Sequence, residues 1–189
     1  MKAEIRVLGI SCSVTNQRKL VPVIGVIYRG KMWLDGVIKT AVKKDGLDAT
    51  EKITEMIIKS PHYEQLRVIL LNGIILADFN VVDITQLYKN TKLPVIVITN
   101  NKVDLTRIKP AVMQKPNWKK RWDAMQKAGK AYPLKLEIAA QDKILMQIAG
   151  ISRQDAEKIV EKTCAKNKIP EALRVANMIA KGFGKVKID

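Results

Sequence analysis

Apolar positions along the chain follow two rhythms. Residues 5–10, 22–28 and 31–42 are dense in Val, Ile and Leu and predict three strands, with Arg29-Gly30-Lys31 short enough to turn the second into the third as a hairpin. Beyond Asp45-Gly46 the spacing lengthens. Ile53, Met56 and Ile57 recur at helical intervals, so a helix is expected from Asp48, its N-cap, with Glu51 at the capping-box position. The run 67–71, RVILL, is apolar without alternation, the pattern of a strand covered on both faces, and is read as the centre of the sheet. A helix over 81–89 and a buried strand over 94–99 complete the first half.

Downstream the texture becomes basic and helical. Segments 105–114 and 117–127 predict two short helices divided by Pro116, and 131–138 with 143–148 predict a further pair of strands. Ser152 and Asp155 form an S-x-x-D start for a helix to about 165, and Pro170 opens a last helix through 180, leaving GFGKVKID as a frayed tail. Repeats, low-complexity tracts and linker-like stretches are absent from the sequence. The 189 residues are therefore read as one domain, 1–189, with 104–189 as its basic, helix-rich C-terminal part.

Composition narrows the class. The chain is 47% hydrophobic, yet no apolar run is long enough for a membrane helix, and MKAEIRVLGI reads as a strand rather than a signal peptide. A cytoplasmic protein without a membrane role is expected. Cys12 and Cys164 lack the spacing of a zinc or redox motif, and the single histidine, His62, excludes histidine-rich metal sites. Thirty-four Lys and Arg against 18 Asp and Glu give a formal charge of +16, a field that attracts polyanions, nucleic acid first among them. Lys115, Trp118, Lys119, Lys120, Arg121 and Lys127 are the candidate contacts: on a helix the two tryptophans share a face while the cations fan out beside them. The competing reading has both tryptophans in the core.

Two motifs suggest a nucleotide hydrolase, and the physics argues against one. Gly25 to Met32 nearly satisfies the P-loop pattern, and Asn101-Lys102-Val103-Asp104 has the shape of a guanine-specificity motif. A P-loop needs a strand before it, a helix after it and a hydroxyl following the lysine. Here Gly25 lies inside a predicted strand, Met32 has no hydroxyl, and the chain continues as a strand.

Ligands in open α/β sheets collect at the carboxyl ends of the strands, which points to Asn72-Gly73 after the central strand and Ser11-Cys12 after the first. Two-metal nucleases clamp magnesium or manganese between carboxylates from different strands, since hard cations take oxygen ligands and phosphate completes the sphere. Neither strand end offers a negative charge. Asp45, Asp48, Glu51, Asp78 and Asp83 stand nearby in sequence, with helix capping the competing role for Asp48 and Glu51.

With these residues in view, the chain resembles the endonuclease dU family, relatives of endonuclease V known mainly from archaea. The likeness runs from VLGI at Val7 to LRVA at Leu173 through VPVIGVIYRG, LDGV, DGLDAT, QLRVILLNGI, FNVVDI, LPVIVIT, QIAGIS and IPEALRVA. It implies a ribonuclease H-like α/β fold, a mixed five-stranded sheet flanked by helices with a C-terminal helical extension. It also implies a magnesium- or manganese-dependent endonuclease acting on DNA, rather than RNA, that carries deaminated bases such as deoxyuridine or deoxyinosine. Where the family pattern reads Gly-Ile-Asp-Asp this chain has Gly9-Ile10-Ser11-Cys12, and where it reads Leu-Leu-Asp-Gly this chain has Leu70-Leu71-Asn72-Gly73. Both changes fall on expected metal carboxylates. A unit charge pair at about 4 Å is worth about 4 kcal/mol at an effective dielectric near 20, so losing two weakens metal binding by orders of magnitude. Asp48 in the DGLDAT segment and the Asn72 carbonyl are the surviving metal-ligand candidates, and Ser11, Asn72, Asp48, Glu51, Asp78 and Asp83 the candidate catalytic set. The expectation is a nucleic-acid-binding member with lost or weakened nuclease activity, against the alternative of a working endonuclease built on a displaced metal.

Overall fold

The computed structural model describes residues 4–13, 19–99, 105–134, 144–165 and 169–185, with the backbone alone at 105–107 and 184–185. The three Val- and Ile-rich segments pair as expected. β1 (Arg6–Cys12) runs antiparallel to β2 (Leu20–Arg29), which turns at Gly30, in the left-handed region at φ 59°, into β3 (Trp33–Lys43). The β2–β3 register skips Asp35, a bulge that lets its carboxylate reach both Arg6 and Arg29. On the other side of β1 lies β4 (Val68–Asn72), parallel to it, and parallel to β4 runs β7 (Val95–Thr99). β9 (Leu145–Ala149) closes this side antiparallel, with the two-residue β8 (Tyr132–Pro133) at the edge.

The spatial order is β3-β2-β1-β4-β7-β9-β8, so β4 is the middle strand, as its unbroken apolar run implied. Among the described residues the sheet carries seven strands rather than five, because the further pair of strands expected over 131–148 joins it as β8 and β9. Most of 131–143 falls outside the described residues, and only the two short stretches of β8 and β9 can be compared with the strands expected there.

Two helical layers cover the sheet. On one face α1 (Ala49–Ile58) and α2 (Ile84–Thr91) bury Ile53, Ile57, Ile84 and Leu87 against Leu8, Ile10, Ile69 and Leu71, and α4 (Trp118–Lys127) adds Ala124 and Met125 to the same core. α3 (Leu105–Met113) leads into α4 and buries Val112 there. On the other face α5 (Arg153–Thr163) and α6 (Glu171–Lys185) cover Val7, Val68, Leu70 and Ile96. α6 crosses β1 so closely that a Cβ on Gly9 would sit 2.6 Å from the Leu173 amide nitrogen and overlap the Ala172 carbonyl. No helix among the described residues is long and apolar enough to cross a membrane.

Local chemistry explains where boundaries moved. The helix expected from 81 begins at Ile84, because Asp83 accepts a hydrogen bond from the Gln86 amide (2.9 Å) and caps it there. The residues before it form a small hairpin, β5 (Ile75–Leu76) with β6 (Asn80–Val81). The last helix continues to Lys185, past the expected stop at 180. Ser152 and Asp155 form the reciprocal cap expected of them (3.1 and 2.7 Å). Gly25 lies within β2 opposite Ile38, so the P-loop-like run is strand and turn, while Asn101 to Asp104 lies outside the described residues.

Candidate functional site

The β1–β4 register pairs Ile10 with Leu71, so one step further along both parallel strands Ser11 and Asn72 stand side by side at the carboxyl edge. Alternation puts them on the face of Gly9 and Leu70, toward α6. Ser11 is buried and Asn72 exposed. Cys12 turns to the opposite face, against the α1 core and beside Ala77 and Asp78. Burial pushes its thiol pKa up, opposed by the Ala77 backbone and reinforced by the Asp78 charge. Ser13, two residues beyond Ser11, is buried with a hydroxyl that has no partner among the described residues.

Four of the five acidic residues nearby are committed elsewhere. Asp48 occupies the N-cap position of α1 without capping it. Its carboxylate instead accepts from the Lys43 amide (3.2 Å) and from the Asn80 side-chain amide (2.6 Å). The cap is Asn80, wholly buried, whose Oδ1 accepts from the Ala49 amide (3.0 Å) while Nδ2 also donates to the Lys43 carbonyl (2.9 Å). Asp45 accepts from the Phe79 amide (3.3 Å) and pairs with Lys115 (2.9 Å). Asp78 is exposed, at φ 69°, and pairs with Lys44 (3.1 Å). Asp83 caps α2 and faces Lys127 at 3.9 Å, and Glu51 stands exposed in the first turn of α1. Among the described residues no three His, Cys, Asp or Glu side chains gather at metal-binding distance.

The basic cluster divides. Arg121 is 2% exposed, and its guanidinium donates to the carbonyls of Gly46 (2.7 Å), Asp45 (2.6 Å), Pro116 (3.2 Å) and Phe79. This corrects its expected place among the nucleic-acid contacts: its donors are spent on backbone, tying α4 to the turn after β3 and to the β5–β6 hairpin. The signal was legible, since Trp118, Arg121, Met125 and Ala128 share the apolar stripe of α4. Trp118 and Trp122 are half-buried on that core, with Lys119 over one ring (5.9 Å to the centroid) and Lys109 over the other (5.3 Å). Lys119 and Lys120 are exposed, Lys115 pairs with Asp45, and Lys127 pairs with Asp123 (2.6 Å). Asp45 was among the acids the sequence offered, while the capping role of Asn80, which holds this corner together with it, carried no local pattern.

A family model described as endonuclease dU matches residues 3–184. The chain belongs to the endonuclease dU family. A UPF0215 protein of Methanosarcina acetivorans is 44% identical over 183 residues, covering 97% of this chain and 92% of that protein. A crystal structure from Archaeoglobus fulgidus superposes with a TM-score of 0.88 at 32% identity, over 97% of this chain and all of that one. Human endonuclease V (TM-score 0.62, 14% identity, 96% of this chain and 85% of that one) shares the fold. So does a Ciona intestinalis endonuclease V in complex with DNA containing an inosine (0.64, 17%, 95% and 86%). The architecture is thus ribonuclease H-like, as the sequence resemblance implied.

An endonuclease dU active through magnesium or manganese needs a donor set of hard, charged oxygens. The adjoining ends of β1 and β4 supply a buried hydroxyl at Ser11 and an exposed carboxamide at Asn72, while the Cys12 thiol, neutral through burial, faces the other layer. Asp78, whose charge acts on Cys12, is ion-paired with Lys44. These groups do not fit a divalent cation.

Proposed function

We propose that this chain is a nucleic-acid-binding member of the endonuclease dU family, working in the cytoplasm, whose metal-dependent cleavage is lost or severely weakened. One observation carries the reading: at the juncture of β1 and β4 the sheet presents Ser11 and Asn72, and among the described residues Asp45, Asp48, Asp78 and Asp83 beside it are each engaged in capping, turn closure or an ion pair. The formal charge of +16 supports retained binding, with Lys119 and Lys120 as exposed contacts. DNA carrying deoxyuridine or deoxyinosine is the ligand class to examine first, since a fold relative has been seen with inosine-containing DNA.

The test incubates the protein with single- and double-stranded oligonucleotides carrying either base, in magnesium, manganese or chelator, scoring binding and cleavage together. Binding that persists in chelator and weakens steeply with salt, without cleavage, is expected. A Ser11→Asp, Asn72→Asp variant runs alongside, and metal-dependent cleavage appearing only there would mark a nuclease scaffold kept for recognition. Metal-dependent cleavage by the natural sequence, abolished by Asp48→Ala, overturns the reading and puts the ligands around Asp48.

A further inference from the structure

The end of the sheet opposite Ser11 and Asn72 carries an open pocket of about 400 Å³, lined by Glu4, Arg29, Lys31, Met32, Trp33 and Lys162. We propose that it is a single-strand nucleic-acid site, holding one base against Trp33 with the adjoining phosphate at Lys31. This rests on the reading that the chain binds nucleic acid, and it adds a strand preference and a second location. β1 separates the two ends by about 20 Å at the usual rise per residue.

Two features of the pocket point to this ligand. Trp33 and Met32 are 62% and 70% exposed, a large apolar and π surface at the tip of a hairpin, outside the hydrophobic core of the described residues. Around them stand Arg29, Lys31, Lys162 and Glu4, with Arg29 ion-paired to Asp35. A purely apolar partner would desolvate the exposed Lys31 ammonium without return, and one carboxylate is too few for a divalent cation. A nucleotide supplies a flat ring for the indole and an anion for the ammonium together, and the volume matches a small-ligand pocket. Arg29 is pre-oriented by Asp35 (3.2 Å), and its buried Nε has no acceptor among the described residues. In a duplex the base faces are stacked on one another and closed to Trp33, so the site selects single strands.

Fluorescence anisotropy with labelled single-stranded oligonucleotides and matched duplexes tests this on the full chain, comparing the natural protein with Trp33→Ala, Trp33→Phe and Lys31→Ala. Trp33→Ala is expected to weaken single-strand binding about tenfold, Trp33→Phe to keep most of it, and Lys31→Ala to lower the salt slope by about 0.7. Duplex binding should not move in any of them. Far-UV circular dichroism establishes that each variant folds, and Lys31→Ala, a change at an exposed turn, keeps the salt-slope test independent of Trp33. Single-strand binding unchanged in both Trp33→Ala and Lys31→Ala, while the natural protein binds well, overturns the pocket and leaves the broader reading standing. No binding of either strand form by the natural protein removes both.

Discussion

Arg121 separates a structural reading of the basic cluster from a nucleic-acid one. Four backbone carbonyls take its donors, three of them in the turn after β3 and the β5–β6 hairpin, and it is almost wholly buried. Burial draws its pKa down and the Asp45 charge opposes that, yet a guanidinium stays protonated, so the site is a buried cation satisfied by dipoles. Truncation in Arg121→Ala strands those carbonyls. Each buried acceptor left unpaired costs about 1–3 kcal/mol, and collapse or water entry recovers part, giving a net loss of about 3–5 kcal/mol. For a chain of this length that lowers the melting temperature by on the order of 10 °C. Arg121→Lys, with three donors on a flexible stem instead of a planar fork, should recover only part. Urea denaturation followed by circular dichroism reads the loss directly. If Arg121→Ala unfolds within about 1 kcal/mol of the natural protein but loses affinity for an oligonucleotide in step with a shallower salt dependence, the guanidinium is exposed in solution and the reasoning is refuted.

Other outcomes follow from the same geometry. Replacing Lys119 and Lys120 together with alanine should leave the denaturation midpoint near its natural value yet reduce the salt slope of oligonucleotide binding by about 0.7–0.9 for each phosphate that is no longer neutralised. Gly9→Ala drives a methyl into the backbone of α6 at Ala172, which should cost about 3 kcal/mol or more, read by the same denaturation; an unchanged midpoint would mean α6 does not pack there. The Arg6 hydrogen bond, with Arg29 behind it, holds the Asp35 carboxyl below its usual range. Its contribution is therefore present above about pH 4, the unfolded value, and is lost as pH falls through the lower folded one, so Asp35→Asn should destabilise at neutral pH and flatten the acid limb of the stability profile. Burial, with Glu171 and Glu161 nearby, pushes the Cys164 thiol up to about 12. The folded protein should resist alkylation there at pH 8, and Cys164→Ala should remove stability that is otherwise lost as pH climbs from about 9 toward 12.

Much of this was open to reading along the chain. The unbroken run over 67–71 placed the middle strand, because a strand covered by helices on both faces has no polar side to show. The capping pair Ser152 and Asp155 set the start of α5, since a cap is an interaction three residues long. The family followed from segments spread over nearly the whole chain. What periodicity could not reach was the partner of each polar group. Asp48 looked like an N-cap or a metal ligand from its neighbours, but the group that decides its role, Asn80, lies 32 residues away. Arg121 looked like a phosphate contact among lysines, but its acceptor Asp45 is 76 residues distant and only meets it once α4 packs beside the turn after β3. Local spacing determines which face of an element a side chain occupies, and so the strands, helices and core. Which charge meets which dipole is decided by how those faces close on one another, where burial makes an unpaired polar group expensive and commits each one to whatever partner the packing brings.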